Sequence, residues 1–219
     1  MDIKLLIKVL VSIPKSFYFC MHFLNFKDAI RLPILVSYNT ILNKLDGRII
    51  MNQITPGIVK IGFTGSFGMG GGKTYLDFRG NVTFKGKASF AKGTQIIVGK
   101  NANLNFGNNF RCNCNCIINA GKSVTFGDDN LLAWLVTVLD GDGHTIINTE
   151  SYSITNVNKE IITGNHVWIC PEVSLLKGSM LPNNCIIATK SVITKKINEE
   201  NSLIGNENTI LKTSVNWFN

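Results

Sequence analysis

Within "VTVLDGDGHTI", residues 136 to 146, two carboxylates and an imidazole arrive at alternate positions among glycines: Asp140, Asp142 and His144. Histidine is the side chain whose ordinary titration lies nearest neutrality, so it can take a proton and return it within one cycle. A carboxylate nearby can orient the ring or a bound acceptor. The same residues also suit a solvated surface turn. A calcium loop is disfavoured, because Thr145 stands where such a loop needs glycine for its sharp turn.

Other chemistry-bearing types are less specific. Cysteines stand at 20, 112, 114, 116, 170 and 185. If "CNCNC" is strand, its alternate thiols lie roughly 6.6 Å apart, too far to share one tetrahedral zinc. Small, buried, reduced thiols of a cytoplasmic protein are the better reading, and no metal is expected. "GMGGGKT" has the ring of a phosphate-binding loop, but the spacing calls for glycine at 67, where Phe67 stands; a turn ahead of the repeats is expected. The formal net charge of +8 favours anionic partners. No basic helix or aromatic–basic surface motif argues for nucleic acid.

The elements that must position these residues follow from an internal beat of six. From residue 163 the chain reads "TGNHVW ICPEVS LLKGSM LPNNCI IATKSV ITKKIN". Its first column is Thr163, Ile169, Leu175, Leu181, Ile187 and Ile193, and its fifth column is mostly small. Upstream, Phe78, Phe84 and Phe90 open hexads; steps of eight reach Val98 and Phe106, then Cys112, Ile118, Phe126, Leu132 and Val138 follow. Two-residue insertions at corners would account for the eights. A hexad is a short strand plus a corner, unable to bury its apolar residue alone, and stacked coils give it a continuous column. Continuing from Val138, position 144 should be bulky and apolar. It is histidine, so the chain is expected to leave the solenoid there as a loop over about 145–161.

The hexads, with "DGDGHTI", "IITGNHVWICPEVSLLKGSMLPNNCIIATKSVITK" and "LIGNENTILKTSVNW", resemble the hexapeptide-repeat acyltransferases, and among them bacterial glycan O-acetyltransferases. The resemblance covers about residues 100–217, and "KSFYFCMHFLNFKDAIRLPILVSYN" loosely. It implies an all-β solenoid, a left-handed parallel β-helix. The hand comes from the resemblance alone, since general crossover rules favour the other. The expected division is an N-terminal helical or mixed extension over 1–50, the β-helix over 51–200 and a C-terminal segment over 201–219.

The resemblance also implies roles. His144 becomes the general base that takes a proton from a sugar hydroxyl attacking an acetyl thioester, with Asp142 as its aid and Asp140 toward the acceptor. Asn113 falls where sugar-acetylating relatives carry an acceptor-binding asparagine, and Asn115 shares its outward face if the cysteines face in. The acidic residue that some relatives carry a few positions later is replaced by Gly121. Trp168 corresponds to an aromatic beside the donor, and Lys177, Lys190, Lys195 and Lys196 lie where the coenzyme's pantetheine and phosphates are held. At "GNENTILK", Glu207-Asn208 departs from the usual proline and alanine, which suggests a looser C-terminal segment. Acetyl-CoA as co-substrate, a saccharide acceptor, a homotrimer and a cytoplasmic location are implied. An amino-sugar N-acetyltransferase and a non-catalytic solenoid remain as alternatives. A zinc enzyme of the γ-carbonic anhydrase type would need three histidines where the repeats hold two, His144 and His166.

The N-terminal "MDIKLLIKVLVSIPKSFYFCMHFLNF" is interrupted by Lys4, Lys8, Lys15 and His22, so no span approaches the ~18 apolar residues of a membrane crossing. It lacks a signal-peptide cleavage pattern. A helix with its apolar face packed on the main domain is expected. Weak association with a membrane's inner face is compatible with the same mixture of basic and apolar residues.

Overall fold

The computed structural model describes residues 3–65 and 71–218. In it the hexads are strands of two to four residues that wind through three parallel sheets in turn. Among the described residues, sheet A has nine strands from Ile34–Val36 to Ile210–Lys212. Sheet B has seven, from Ile41–Leu42 to Val192–Ile193, and sheet C six, from Arg48–Met51 to Met180–Leu181. Each coil visits A, B and C, leaving three stacks of corners: A–B, B–C and C–A. The fold is a left-handed parallel β-helix.

The columns read from the sequence are the columns of the core. On sheet A, Phe90, Cys112, Leu132, Ile169 and Ile187 are in register; on sheet C, Phe84, Phe106, Phe126, Thr163 and Leu181. The Phe84–Phe106 and Phe106–Phe126 rings stack at 5.3 and 5.7 Å, an arrangement that adds to their burial. One step differs from expectation. On sheet B the register partner of Ile118 is Ile96, six residues after Phe90, and Val98 pairs with Ala120 at the end of a longer strand. The insertion therefore follows sheet B instead of preceding it.

Tight corners put residues in left-handed backbone. Asn109, Asp129, His166 and Asn184 do so at the C–A corner, and Asn115, Leu135, Glu172 and Lys190 at the A–B corner, all with φ between 55° and 62°. Asparagine and aspartate tolerate this region best. The "CNCNC" segment is mostly such a corner: only Cys112 lies in a strand, with Cys114 and Cys116 in the turn. All six cysteines are nevertheless buried and in no disulfide, and burial pushes the Cys112 thiol well up.

Three expectations about the ends need correction. The β-helix starts at Ile34, whose strand pairs with Val59–Ile61, so a boundary at 50 falls inside the first coil. "GMGGGKT" lies between strands Val59–Ile61 and Tyr75–Phe78, within the solenoid; its residues 68–70 fall outside the described residues. The C-terminal segment is pinned, not loosened: Asn208 Oδ1 accepts from the Thr194 and Lys195 N–H groups at 2.9 and 3.1 Å. Strand Ile210–Lys212 then folds back antiparallel on Leu203–Ile204.

Helix α1, Ile3–Phe23, lies across the first coil, followed by the short α2, Phe26–Ala29. Its packing follows the expected apolar contact only near its C-terminal end, where Phe19, Cys20 and Phe23 meet the core; the rest of its inner face is largely polar. Ser16 Oγ accepts from Val36 N–H at 2.9 Å, and Ser12 Oγ accepts from Tyr38 N–H at 2.9 Å. Lys8 Nζ donates to the Gly62 and Phe63 carbonyls, and Lys15 Nζ to those of Tyr38 and Thr40, at 2.6–2.8 Å. These groups belong to the open end of the solenoid, where a terminal strand would otherwise present unpaired backbone. Phe19 and Cys20 are its buried apolar residues, while most of its apolar side chains face outward.

Candidate active site

Strand Thr137–Leu139 of sheet B should turn into sheet C within a few residues, yet the next strand begins only at Ile161. The turn out is anchored by Asp140, which is buried. Its carboxylate accepts from the backbone N–H groups of Gly121, Lys122 and Ser123 at 2.6–2.8 Å. Three charge-assisted bonds engage both oxygens of this buried side chain, so Asp140 ties one coil's corner to the next. Gly121 shows why no acidic side chain stands there: a Cβ would meet Asn158 Nδ2 at 2.7 Å and Asp140 Oδ1 at 3.3 Å.

Beyond Asp140 the chain reverses at Gly143, whose φ of +77° favours glycine, and presents His144 to solvent. The imidazole makes no hydrogen bond among the described residues; it borders a concavity of about 270 Å³ with Thr145, Ile154, Asn156 and Val157. The loop is closed by an antiparallel bridge of Ile147 with Ile154. Its brace is Asn156, which carried no sequence signal. Asn156 Nδ2 donates to the His144 carbonyl at 2.6 Å and to Asp142 Oδ2 at 2.9 Å, and its Oδ1 accepts from Ile146 N–H at 2.6 Å.

Asp142 does not touch the His144 ring. Its carboxylate pairs with Lys177 and Asn156, and the hydrogen bond from Lys177, then that from Asn156, holds its pKa below the ordinary value. Asp142 and Lys177 share a groove of about 490 Å³ with Leu139, Lys159, Leu176 and Thr194. Lys159 is a second residue the sequence did not single out. Its backbone N–H bonds the Asp140 carbonyl at 3.0 Å, and its side chain lies over Gly178. The Lys159 ammonium, with that of Lys177 shared with Asp142, lies beside an apolar strip and suits a ligand with phosphate and a flexible chain.

The remaining candidates lie elsewhere on the chain. Asn113 and Asn115 are half-buried at the A–B corner, one corner away from His144; Asn115 has φ +60° and its amide lies against Gly93. Lys190 is also at that corner, 3.8 Å from Glu172. Lys195 and Lys196 are exposed at the B–C corner, outside the groove lining. Trp168 is half-buried on the outer side of sheet A and lines neither concavity near His144; the C-terminal Trp217 packs against it at 6.1 Å. His166, the other histidine of the repeats, is fully engaged. Nδ1 lies 2.6 Å from Asp129 Oδ2, Nε2 3.0 Å from Asn216 Oδ1 and 3.1 Å from the Trp217 carbonyl, and the ring stacks on Trp217 at 4.3 Å. One chain thus brings together His144, Asp142 and Lys177, and leaves Asn113, Asn115, Trp168 and Lys190 on other faces.

Comparison with known proteins finds curated O-acetyltransferases, and solved structures of both O-acetyltransferases and an N-acyltransferase. The chain is 27% identical over 143 residues to a polysialic acid O-acetyltransferase of Escherichia coli O1:K1, covering 65% of this chain and 44% of that protein. It is 36% identical over 101 residues to the galactoside O-acetyltransferase of E. coli K12, covering 44% and 47%. The chain therefore spans less than half the length of these two curated relatives. Among solved structures, the polySia-specific acetyltransferase NeuO aligns at TM-score 0.49 and 20% identity, over 85% of this chain and 78% of that one. The polysialic acid O-acetyltransferase OatWY aligns at TM-score 0.49 and 22% identity, over 85% and 87%. No family model matches the chain.

Proposed function

We propose that the protein is an acetyl-CoA-dependent O-acetyltransferase acting on a bacterial surface saccharide or its precursor. The observation that supports this most is the break at His144. A column position that should hold a buried aliphatic holds an exposed, unpaired imidazole instead, on a loop braced by Asn156 beside the groove of Lys159 and Lys177. The curated relatives, named for O-acetylation of saccharides, support the same reading.

In the proposed reaction an acceptor hydroxyl oxygen attacks the thioester carbonyl carbon while His144 takes the hydroxyl proton. The tetrahedral intermediate collapses, the C–S bond breaks, and the thiolate leaves with the proton that the imidazolium returns. A general base in reach contributes on the order of 10²–10⁴-fold, because a neutral alcohol is a weak nucleophile. Backbone N–H groups can stabilise the oxyanion. Lys159 and Lys177, with Lys195 and Lys196 nearby on the same corner, are the candidates to hold the coenzyme's phosphates. Asp142 acts through Asn156 and Lys177, as a positioning residue for the loop.

The reading includes a homotrimer. Asn113, Asn115 and Trp168 sit on faces that His144 of the same chain does not reach, so acceptor- and donor-binding roles for them require a neighbouring copy. The loop bearing His144 also exposes Ile146, Ile147, Tyr152 and Ile154, apolar groups suited to lie on such a copy. Light scattering tests the assembly; an active monomer overturns it. The reaction is tested by thiol release from acetyl-CoA across a panel of saccharides with mass analysis of the products. An ester product supports the proposal, an amide product makes the enzyme an amino-sugar N-acetyltransferase, and no turnover with any acceptor leaves a binding solenoid.

A further inference from the structure

Helix α1 is amphipathic in the reverse sense to an ordinary surface helix. Its polar residues Lys8, Ser12, Lys15 and Ser16 point into the protein and bond the backbone of the first two coils. Nine of its apolar side chains, among them Ile3, Ile7, Leu10, Val11, Phe17 and Tyr18, stand 38–73% exposed. On a helical projection these nine fill one continuous arc, with the lysines along its edge. The helix cannot roll to bury this arc without breaking the hydrogen bonds of Lys8 and Lys15 to four carbonyls. A solenoid's terminal cap ordinarily needs a polar outer surface for solubility. This one offers an apolar surface, with Phe26 of α2 and Ile30 just after it also exposed.

We propose that this cap is a membrane-docking surface, lying in the interface of an anionic lipid bilayer with the solenoid standing away from it. The charge around the arc selects the occupant. No acidic residue lies in α1; Lys4, Lys27 and Arg31 are exposed beside the apolar groups, and Asp28 is bonded to Asn25 Nδ2 at 2.7 Å. A second copy meeting this end face to face would set like basic rims against each other, whereas anionic headgroups neutralise them. An apolar crevice of about 440 Å³ along the helix flank, walled by Leu5, Val9 and Leu35 together with Arg31 and Lys60, has the character to take an acyl chain below a phosphate. No described helix is long and apolar enough to cross a membrane, and an in-plane helix with basic residues beside its apolar face binds at the surface instead. The proposal is independent of the transfer reaction.

The test is flotation of the full chain with phosphatidylglycerol-containing vesicles and with phosphatidylcholine vesicles. The protein should float with the anionic vesicles and much less with the neutral ones. Leu10→Glu/Phe17→Glu should lose roughly a hundredfold in partitioning with an unchanged thermal transition, since both positions are outward. Should that pair melt early, Lys27→Ala/Arg31→Ala serves in its place, with roughly a fivefold loss expected for each basic residue removed. Absence of wild-type flotation overturns the proposal, as do apolar-face variants that melt normally and float like wild type. If those variants instead change the mass of the protein in vesicle-free light scattering, a second copy covers the face and the bilayer assignment fails.

Discussion

The two histidines of the repeats occupy corners of the same solenoid and live in opposite circumstances. His166 keeps to the hexad rhythm at the C–A corner, in left-handed backbone, with both ring nitrogens bonded and its face on Trp217. His144 interrupts the rhythm at the B–C corner, where the chain departs for a loop and the ring meets only solvent and a shallow concavity. An imidazole whose nitrogens are committed to the fold holds structure together; one whose backbone is braced while its ring stays open is equipped to move protons. On the proposed reading, what separates the two histidines is whether the neighbouring coil has used the side chain, not residue type.

That contrast can be broken by substitution. His144→Ala should lower transfer by about 10²–10⁴-fold with little change in thermal stability or coenzyme affinity, read by steady-state kinetics beside a melting curve. Asn156→Ala removes the brace and should cost between about 10- and 100-fold in turnover, because a small displacement of a reacting group is expensive. Its stability loss should be confined to local hydrogen-exchange protection in the loop. His166→Ala should do the reverse: about 1–3 kcal/mol of unfolding free energy from lost hydrogen bonds, measured by denaturant titration, with turnover per folded molecule retained. Normal rates in His144→Ala, or a large rate loss in a well-folded His166→Ala, would exchange the two roles.

A smaller effect sharpens the comparison through pH. The Asp142 carboxyl is depressed in the folded protein by Lys177 and then Asn156. A depressed carboxylate stabilises the fold above its unfolded pKa, and that contribution disappears as pH falls through the folded value. The loop should therefore stay ordered to lower pH in the wild type than in Lys177→Ala, whose Asp142 should titrate closer to the ordinary aspartate range. Carboxyl-resolved NMR titration of both proteins reads this directly; identical Asp142 titrations would mean that the ion pair does not form in solution.

How much of this was legible in the residues follows from what each inference required. The columns Phe84–Phe106–Phe126 and Leu132–Ile169–Ile187 were readable because periodic burial leaves periodic sequence. The loop at His144 was readable as a violation of the same period. Asp140 misled because an aspartate beside a glycine turn reads alike whether its carboxylate faces an acceptor or three backbone N–H groups of the preceding coil. Asn156 and Lys159 left no mark, since their partners are brought near only when the loop folds back. The orientation of α1 was hidden for a related reason: hydropathy shows that the helix has two faces, but the backbone groups of the first two coils that take Lys8, Ser12, Lys15 and Ser16 are brought to it only by the fold.

The measurement that most directly tests the B–C corner as the place of chemistry is hydrogen exchange of the assembled protein with and without coenzyme A. The predicted result is added protection over residues 139–142, 157–160 and 176–178, around the groove shared by Asp142, Lys159 and Lys177. Protection confined to His166 and residues 213–217, with the B–C corner exchanging as in the free protein, would contradict that assignment.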